Sequence, residues 1–581
     1  MATCDQLLAV SMAPGSPGPA LDDAPLGPGA IAVPFGGGAV GEGTVWAVSV
    51  DGDKPAVGSG IALSLGPRDH VYGAVRSSDL ADRLTSGHRL ADVAAPFAAV
   101  LVDGSSVIAA TDYLGLRHIY GVEGEGWAAI STSARLLARL ANTSLDRDAL
   151  GAYRLIGHHL GTATPYAGVT KLPAAARWRL AAGRLHVEPY SIAAGEPAPD
   201  APTAVRRTAA MLRATIERCL DEHPDAVLQL SGGLDSRVLL GAIPASRRRG
   251  LRALTLSSAK SHDNVIATRL AESYGLRREV IDLGRLATLR PEGAYELVHR
   301  AALRSDGIGN PIAFAVLDWA EAQAPGEPRI NGFGGEMARA FYYPAQRPHA
   351  RPTPALVDRL ATWRIFTLEP ADEAMFDPEY AAATKAATLG RLRSIFVGYD
   401  TDWLSATDEF YIQERAHRWV GATLTGACLR YVTLGPLLHP EFLAAARALP
   451  PETKRGSRFN ARVLTELDAD LATIPLDTGM RPRDLLAGPP ASTARNAYDF
   501  ARRANRKIRQ RLRRSGNPGV GVPTVTRHLV GHWRANPHLL DPVAASGIVR
   551  TEWLAEMLAG TREPSEATAA FLAIMEVAAG G

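Results

Sequence analysis

Residues 227–238 read VLQLSGGLDSRV, and the reading of this stretch decides the fold. VLQL is apolar enough for a buried parallel strand, and RVLLGAI after the loop has the apolar spacing of a helix. A strand therefore runs into a helix through Ser-Gly-Gly-Leu-Asp-Ser. Two consecutive glycines let the backbone turn tightly and approach a ligand closely, while Ser231, Ser236 and the first helical N–H groups aim donors into one concavity. Such a concavity suits phosphate oxygens. No Lys follows the glycines, so the loop is not a Walker A loop. Asp235 would repel a bound phosphate unless a divalent cation lay between them, which points to magnesium shared by carboxylate and phosphate oxygens.

Outward from this loop the chain alternates strand and helix. A helix is predicted over 203–222, a strand over 252–258 (RALTLSS), a helix from DNVIATRLAESYGL ending at Gly275, a strand in REVIDL, and another in PRIN running into a second glycine turn, GFGGE. That is the pattern of an α/β domain with a doubly wound parallel sheet. Ligands of such sheets bind beyond the carboxyl ends of the strands, where both glycine turns fall. Residues 46 to 190 instead read as short strands with a helical break at 134–162, a mostly β first domain. The Gly-, Pro- and Ala-rich segment 11–45 shows no periodicity and reads as a loop or flexible segment, and AAGEPAPDAPTAV (193–205) reads as a linker.

Composition bounds the function. The 581 residues are 46% hydrophobic and 21% charged, which suits a globular protein of two or three domains. Three scattered cysteines, Cys4, Cys219 and Cys428, form no metal knuckle or disulfide framework and fit a reducing cytoplasm. A net charge of +3 is too mild to imply nucleic acid. No apolar run reaches the roughly 18 residues of a membrane span, and MATCDQLLAV lacks the features of a signal peptide. The expectation is a cytoplasmic protein.

SGGLDS, TLSSAKSHDNVIATRLAESYGL and NGFGGE together resemble the synthetase domain of the asparagine synthetase family, whose relatives include β-lactam synthetases and lasso-peptide cyclases. VDGSSVIAATDYLGLRHIYG and GTATPYAGVTKLPAAARWRL resemble the strands of that family's glutaminase-like domain. The resemblance spans most of residues 95–480. It implies an Ntn-hydrolase-like α+β sandwich over 1–195, an ATP-pyrophosphatase (PP-loop) synthetase domain over 205–490 and a helical C-terminal extension over 491–581. The implied chemistry is adenylation of a carboxylate by ATP, with release of pyrophosphate, followed by attack of an amine to give an amide and AMP.

The same resemblance assigns roles. Ser231, Gly232, Gly233 and Ser236 would cradle pyrophosphate, and Asp235 and Glu336 would hold magnesium. Leu230, Leu256, Asn331 and Gly332 would line the adenine pocket. The family's usual second turn ends in Asp where this chain has Glu336, and carries Glu where this chain has Phe333. A catalytic Lys is expected in LPPETKRGSRFNARVL. The best-aligned position there is Asn460, which leaves Lys454, Arg458 or Arg462 as the cation. Arg237 and Arg339 are candidates for holding a carboxylate or phosphate, and Tyr342 or Tyr343 for accepting the proton of the amine; His417 reads as structural. A glutamine-hydrolysing domain would need Cys at position 2, where this chain has Ala.

Beyond residue 490 the resemblance fades. FARRANRKIRQRLRR (500–514) places Phe500, Ala504, Ile508 and Leu512 on one face of a basic amphipathic helix, a solvated face packed on the domain or a dock for a carrier protein or peptide. Three functions fit these features: an amide-forming ligase of specialised metabolism, in monomeric or homodimeric form; a degenerate nucleotide-binding scaffold; and a glutamine-dependent synthetase with a mis-set start. An unrelated adenylating enzyme would be expected to show paired cysteines or a strongly basic RNA face.

Overall fold

Alternation along the N-terminal strands builds two antiparallel layers. The computed structural model describes residues 2–4, 6–21, 25–26, 30–37, 41–48, 62–65, 77–93, 95–190, 198, 200–257, 261–324, 327–343, 347–428, 430–486 and 521–580. One six-stranded sheet runs, in spatial order, Ala2–Cys4, Ala62–Leu65, Ala98–Asp103, Ser106–Thr111, Ala176–Ala181, Arg184–Pro189. The other runs Thr170–Lys171, Tyr120–Gly124, Trp127–Ser131, Gln6–Met12, Glu42–Val48, Ile31–Gly36. Leu7, Ala9, Val100, Val102, Val107 and Ala109 meet between the sheets. Their neighbours in sequence face outward: Leu101 and Ile108 pack under the helix Ser77–Ser86, and Leu8 and Val10 under the helix Ala134–Leu140. A strand period of two thus gives four layers, helix, sheet, sheet, helix.

Two elements differ from the sequence expectation for 11–45. Gln6–Met12 lies inside its sheet, and Ile31–Gly36 pairs antiparallel with Glu42–Val48 at the edge. Pro34 is tolerated because an edge strand needs hydrogen bonds on one side only. The expected strand HVYGAV, the core of the 193–205 linker and the basic segment 500–514 lie outside the described residues.

The second half is a five-stranded parallel sheet in the order Arg277–Asp282, Arg252–Ser257, Val227–Gln229, Arg329–Ile330, Thr433–Leu434. The chain starts in the middle, steps outward twice on one side, then returns to the other side of Val227–Gln229. That reversal opens a crevice at the carboxyl ends of Val227–Gln229 and Arg329–Ile330. Leu228 and Leu230 pack beneath the helices Ala201–Glu222, Leu234–Ala242, His262–Tyr274 and Arg458–Leu467. On the opposite face Val227, Leu254 and Ile281 meet Val298, Val316, Trp533 and Phe571, so the helices Val522–Ala535 and Glu566–Ala579 complete the core of the sheet rather than extend from it.

The two halves share a third core, in which Tyr113, Leu114 and Leu116 of the first pack with Met337, Phe396 and Phe410 of the second. Its polar seam begins at Asp112, whose buried carboxylate accepts N–H bonds from Phe97, Leu114, Leu116 and Arg117 at 3.0–3.2 Å and so fixes the turn DYLGLR. Gly115 takes φ +65°, and a Cβ there would meet His417 Nε2 at 2.3 Å, so this turn docks only as glycine. Asp306 closes the far end of the seam by accepting from Ser133 Oγ (2.9 Å) and Ala134 N (2.7 Å).

Candidate functional site

The strand Val227–Gln229 ends where the sequence requires it, because Gly232 and Gly233 cannot prolong the ladder and Leu234 starts a helix. That helix carries no side-chain cap, which leaves its N-terminus receptive to anions. The serines brace the loop. Ser236 Oγ accepts from Ser231 N at 3.1 Å and lies 3.0 Å from Ser231 Oγ, which in turn accepts from Gly233 N at 3.2 Å. Gly232 N donates to Asp263 Oδ1 at 2.7 Å, so the N–H groups of Ser231, Gly232 and Gly233, all expected to face a phosphate, are used within the protein. Burial, and the neighbouring Asp477, push the Asp263 carboxyl up, while the Gly232 N–H pulls it down.

The second turn closes over Asp235. Asn331 Oδ1 accepts from Phe333 N at 3.1 Å and starts the turn, and Gly334 follows at φ +99°. Gly335 lies so close that a Cβ on it would meet Asp235 Cγ at 2.3 Å, and a Cβ on Gly332 would meet Asp235 Cβ at 3.1 Å. Both glycines are therefore required by the approach of one turn to the other. The short helical turn Gly335–Ala338 brings Glu336 and Arg339 to the same place. Arg339 grips Asp235 with Nε on Oδ1 at 3.1 Å and Nη2 on Oδ2. Asn460 Nδ2 adds bonds to Asp235 Oδ1 (3.4 Å) and the Gly335 carbonyl (3.0 Å), while its own Oδ1 is buried with no protein partner.

These charges shape one another. Burial and then the Asp235 charge push the Glu336 carboxyl above its ordinary range, and Arg339 offsets part of this. Burial works against the charge of Arg339, but Asp235 and Glu336 outweigh it and hold the guanidinium firmly protonated. Tyr411, at the head of the wide π-type helical segment Tyr411–Val420, senses both Glu336 and Arg339, and its hydroxyl is held well above its usual range by burial. Such wide turns are common at functional sites.

The structure thus brings Ser231, Gly232, Gly233, Asp235, Ser236, Asn331, Gly332, Glu336 and Arg339 together. Leu230 is buried, with its N–H and carbonyl engaged by Leu254 and Thr255, and Leu256 lines a cavity beside the turns. The others are engaged elsewhere. Lys454 is 2% exposed and donates to Asp408 (2.6 Å) and the Ala446 carbonyl (2.8 Å), with Tyr343 OH on the same carboxylate. Tyr342 lies in an aromatic cluster with Phe341, Phe410 and Tyr411, ring centroids 4.9–6.4 Å apart. Arg237 is wholly buried and ties the carbonyls of Ile474, Pro475 and Gly232, so it fastens the loop from behind instead of facing a ligand. His417 is buried, in contact with Gly115 and Arg418. Sequence reasoning missed Tyr411 and the contacts of Asp263 and Asn460; Asp263 and Asn460 lay in segments already singled out, and Tyr411 did not.

The residues fit a hard cation beside a polyanion: two carboxylates converge, and an uncapped helix N-terminus stands at the crevice. Among the described residues no three His, Cys, Asp or Glu side chains converge, so such a cation would draw its remaining oxygens from ligand and water. No helix among the described residues is long and apolar enough to cross a membrane. No family model matches the chain, and no curated protein matches it.

Proposed function

We propose that the protein is an ATP-dependent, AMP-forming carbon–nitrogen ligase that activates a substrate carboxylate as its adenylate and condenses it with an amine. The observation that carries this reading is the convergence of Asp235, Glu336 and Arg339 at the reversal of strand order, where two glycine turns close on each other beside an uncapped helix N-terminus. In this reading the four-layer N-terminal half is the counterpart of a glutaminase-like Ntn sandwich and the parallel half that of a PP-loop synthetase domain. The protein works in the cytoplasm with small-molecule or peptide substrates.

The work of the chain's own residues follows from their positions. The N-terminus of the helix Leu234–Ala242 orients the polyphosphate. Asp235 and Glu336 would hold magnesium, which would neutralise charge developing on the leaving pyrophosphate. Arg339, which holds Asp235 in this structure, would turn its fork to a phosphate or carboxylate oxygen if a cation took over that carboxylate. The test is isotope exchange between ATP and pyrophosphate across a panel of carboxylates. Exchange that depends on magnesium and is abolished in Asp235→Ala is the expected result. Wild-type exchange in that variant would overturn the reading, and magnesium-independent nucleotide binding without exchange would favour a scaffold.

A further inference from the structure

Beside the glycine turns, at the carboxyl edge of the parallel sheet, lies a cavity of about 110 Å³. Its floor is Gln229, Leu256 and Phe333, from the ends of three adjacent strands. Its sides are Phe314, Leu317 and Ile308, and its roof is His118 and Tyr120 of the antiparallel half. Phe333 belongs to the turn that carries Glu336, so the cavity adjoins the candidate site.

The polar groups around this space are already paired. Asp318 takes Arg304 at 2.8 Å and also Arg430; Glu321 takes Arg329 at 3.3 Å; Asp306 is spent on Ser133 and Ala134. His118 Nε2 lies 3.0 Å from the His417 carbonyl, which can only accept, so the proton sits on Nε2. Burial among cations keeps the ring neutral, hence Nδ1 is a lone pair and accepts from Tyr120 OH at 3.2 Å. Tyr120 then presents oxygen lone pairs, not a proton, to any occupant. The carboxylates here are all engaged, so a cationic side chain would find no free counter-charge, whereas an apolar ring would cover apolar wall. An engineered apolar cavity of about 150 Å³ is known to take benzene, so the space is of the right order for one ring.

The geometry points to this cavity, with Leu256 reassigned to it from the adenine pocket, as the side-chain pocket for the carboxylate substrate, which would be an acid bearing an apolar, ring-sized side chain whose N–H or O–H donor, if present, is accepted by Tyr120. The assignment rests on the ligase reading for its chemistry, but the pocket can be tested without it. Calorimetry with 3-phenylpropanoate, phenylalanine and succinate, in the absence of nucleotide, should show binding of the two ring acids at least tenfold tighter than succinate. Phe314→Trp, which fills the space, should abolish that binding, and Phe314→Ala should admit a bulkier naphthyl acid. Loss of fold in either is read from its melting transition, and the other variant then decides. Equal affinity for succinate, no ring-acid binding, or binding indifferent to both Phe314 variants would overturn the pocket. Ring-acid binding without any ATP–pyrophosphate exchange would instead refute the ligase reading and leave the pocket standing.

Discussion

Replacing Arg339 by Met removes the cation on which Asp235 rests in this structure. The Asp235 side chain is 9% exposed and Arg339 31%, and their contact is bidentate, so the carboxylate would keep only the 3.4 Å bond from Asn460 and the N-terminus of its helix. Breaking a buried pair from one side costs about 3–5 kcal/mol; the partial exposure of Arg339 and the remaining donors place this case at the lower end, about 3 kcal/mol. Magnesium supplies the replacement charge. If Asp235 and Glu336 form its site, the variant should regain stability with magnesium, by about 2.7 kcal/mol at a hundredfold excess over the dissociation constant. Urea titrations of wild type, Arg339→Met, Asp235→Asn and the double variant, each with and without magnesium, make the measurement. The double variant should be less destabilised than the two single losses added together. The reasoning fails if Arg339→Met unfolds at the wild-type urea concentration, or if magnesium stabilises Asp235→Asn as much as Arg339→Met.

Glu336→Gln keeps size and removes charge, so magnesium-dependent pyrophosphate formation should fall on the order of tenfold, about 1.4 kcal/mol, whereas Glu336→Asp should lose less; equal magnesium dependence in wild type and Glu336→Gln would rule out a ligand role. Lys454→Met should destabilise the protein by about 3–5 kcal/mol because Asp408 is left buried, and a variant of full stability but no turnover would show Lys454 to be catalytic after all. Buried His118, His158, His159 and His417 are all held below their ordinary pKa by loss of solvent, His158 and His159 to about 3 from 6.5. Between those values these four sites bind more protons in the unfolded chain than in the folded one, so their share of the stability should fall as pH drops from 6.5 toward 3. Asp306 and Asp318, raised by burial from 3.8 to about 6, and Asp112, Asp263, Glu321, Glu336, Glu369 and Asp408, also raised by burial, oppose this. The histidine share is therefore read by difference: a His158→Gln urea midpoint with the wild-type pH dependence between pH 7 and pH 4.5 would contradict it.

Four of the five strands of the parallel sheet were legible, as VLQL is before Gly232 and as Gly275 marks the end of a helix at φ +66°; the two-residue strand Thr433–Leu434 is too short to show a pattern. Asp235 and Glu336 are paired in the sequence only through the family resemblance; the alternation of strand and helix sets both glycine turns at one edge of the sheet without pairing those two residues. The edge strand Ile31–Gly36 was hidden by Pro34 and by the glycines around it, whose compatibility with an edge becomes visible only once a partner strand is in place. Side-chain direction was hidden too. Arg237, Tyr342 and Lys454 occupy positions whose type suggests chemistry, yet Arg237 points through its helix to Ile474 and Lys454 to Asp408, contacts made 237 and 46 residues away. Asn460 looked like a gap in a pattern, and its contact with Asp235 depends on how one helix crosses another.

The helix Glu566–Ala579 buries Phe571, Leu572, Ile574 and Met575 completely, against the same sheet that Val227 began. On the ribosome, the central strand is exposed roughly 340 residues before its last cover arrives, on the order of 20–70 s of synthesis. Through that interval one face of a parallel sheet stands open to water and to other chains. The nascent protein should therefore depend on chaperones until its tail is released, and a stop codon anywhere in the final helix should yield aggregate rather than a shortened, working molecule.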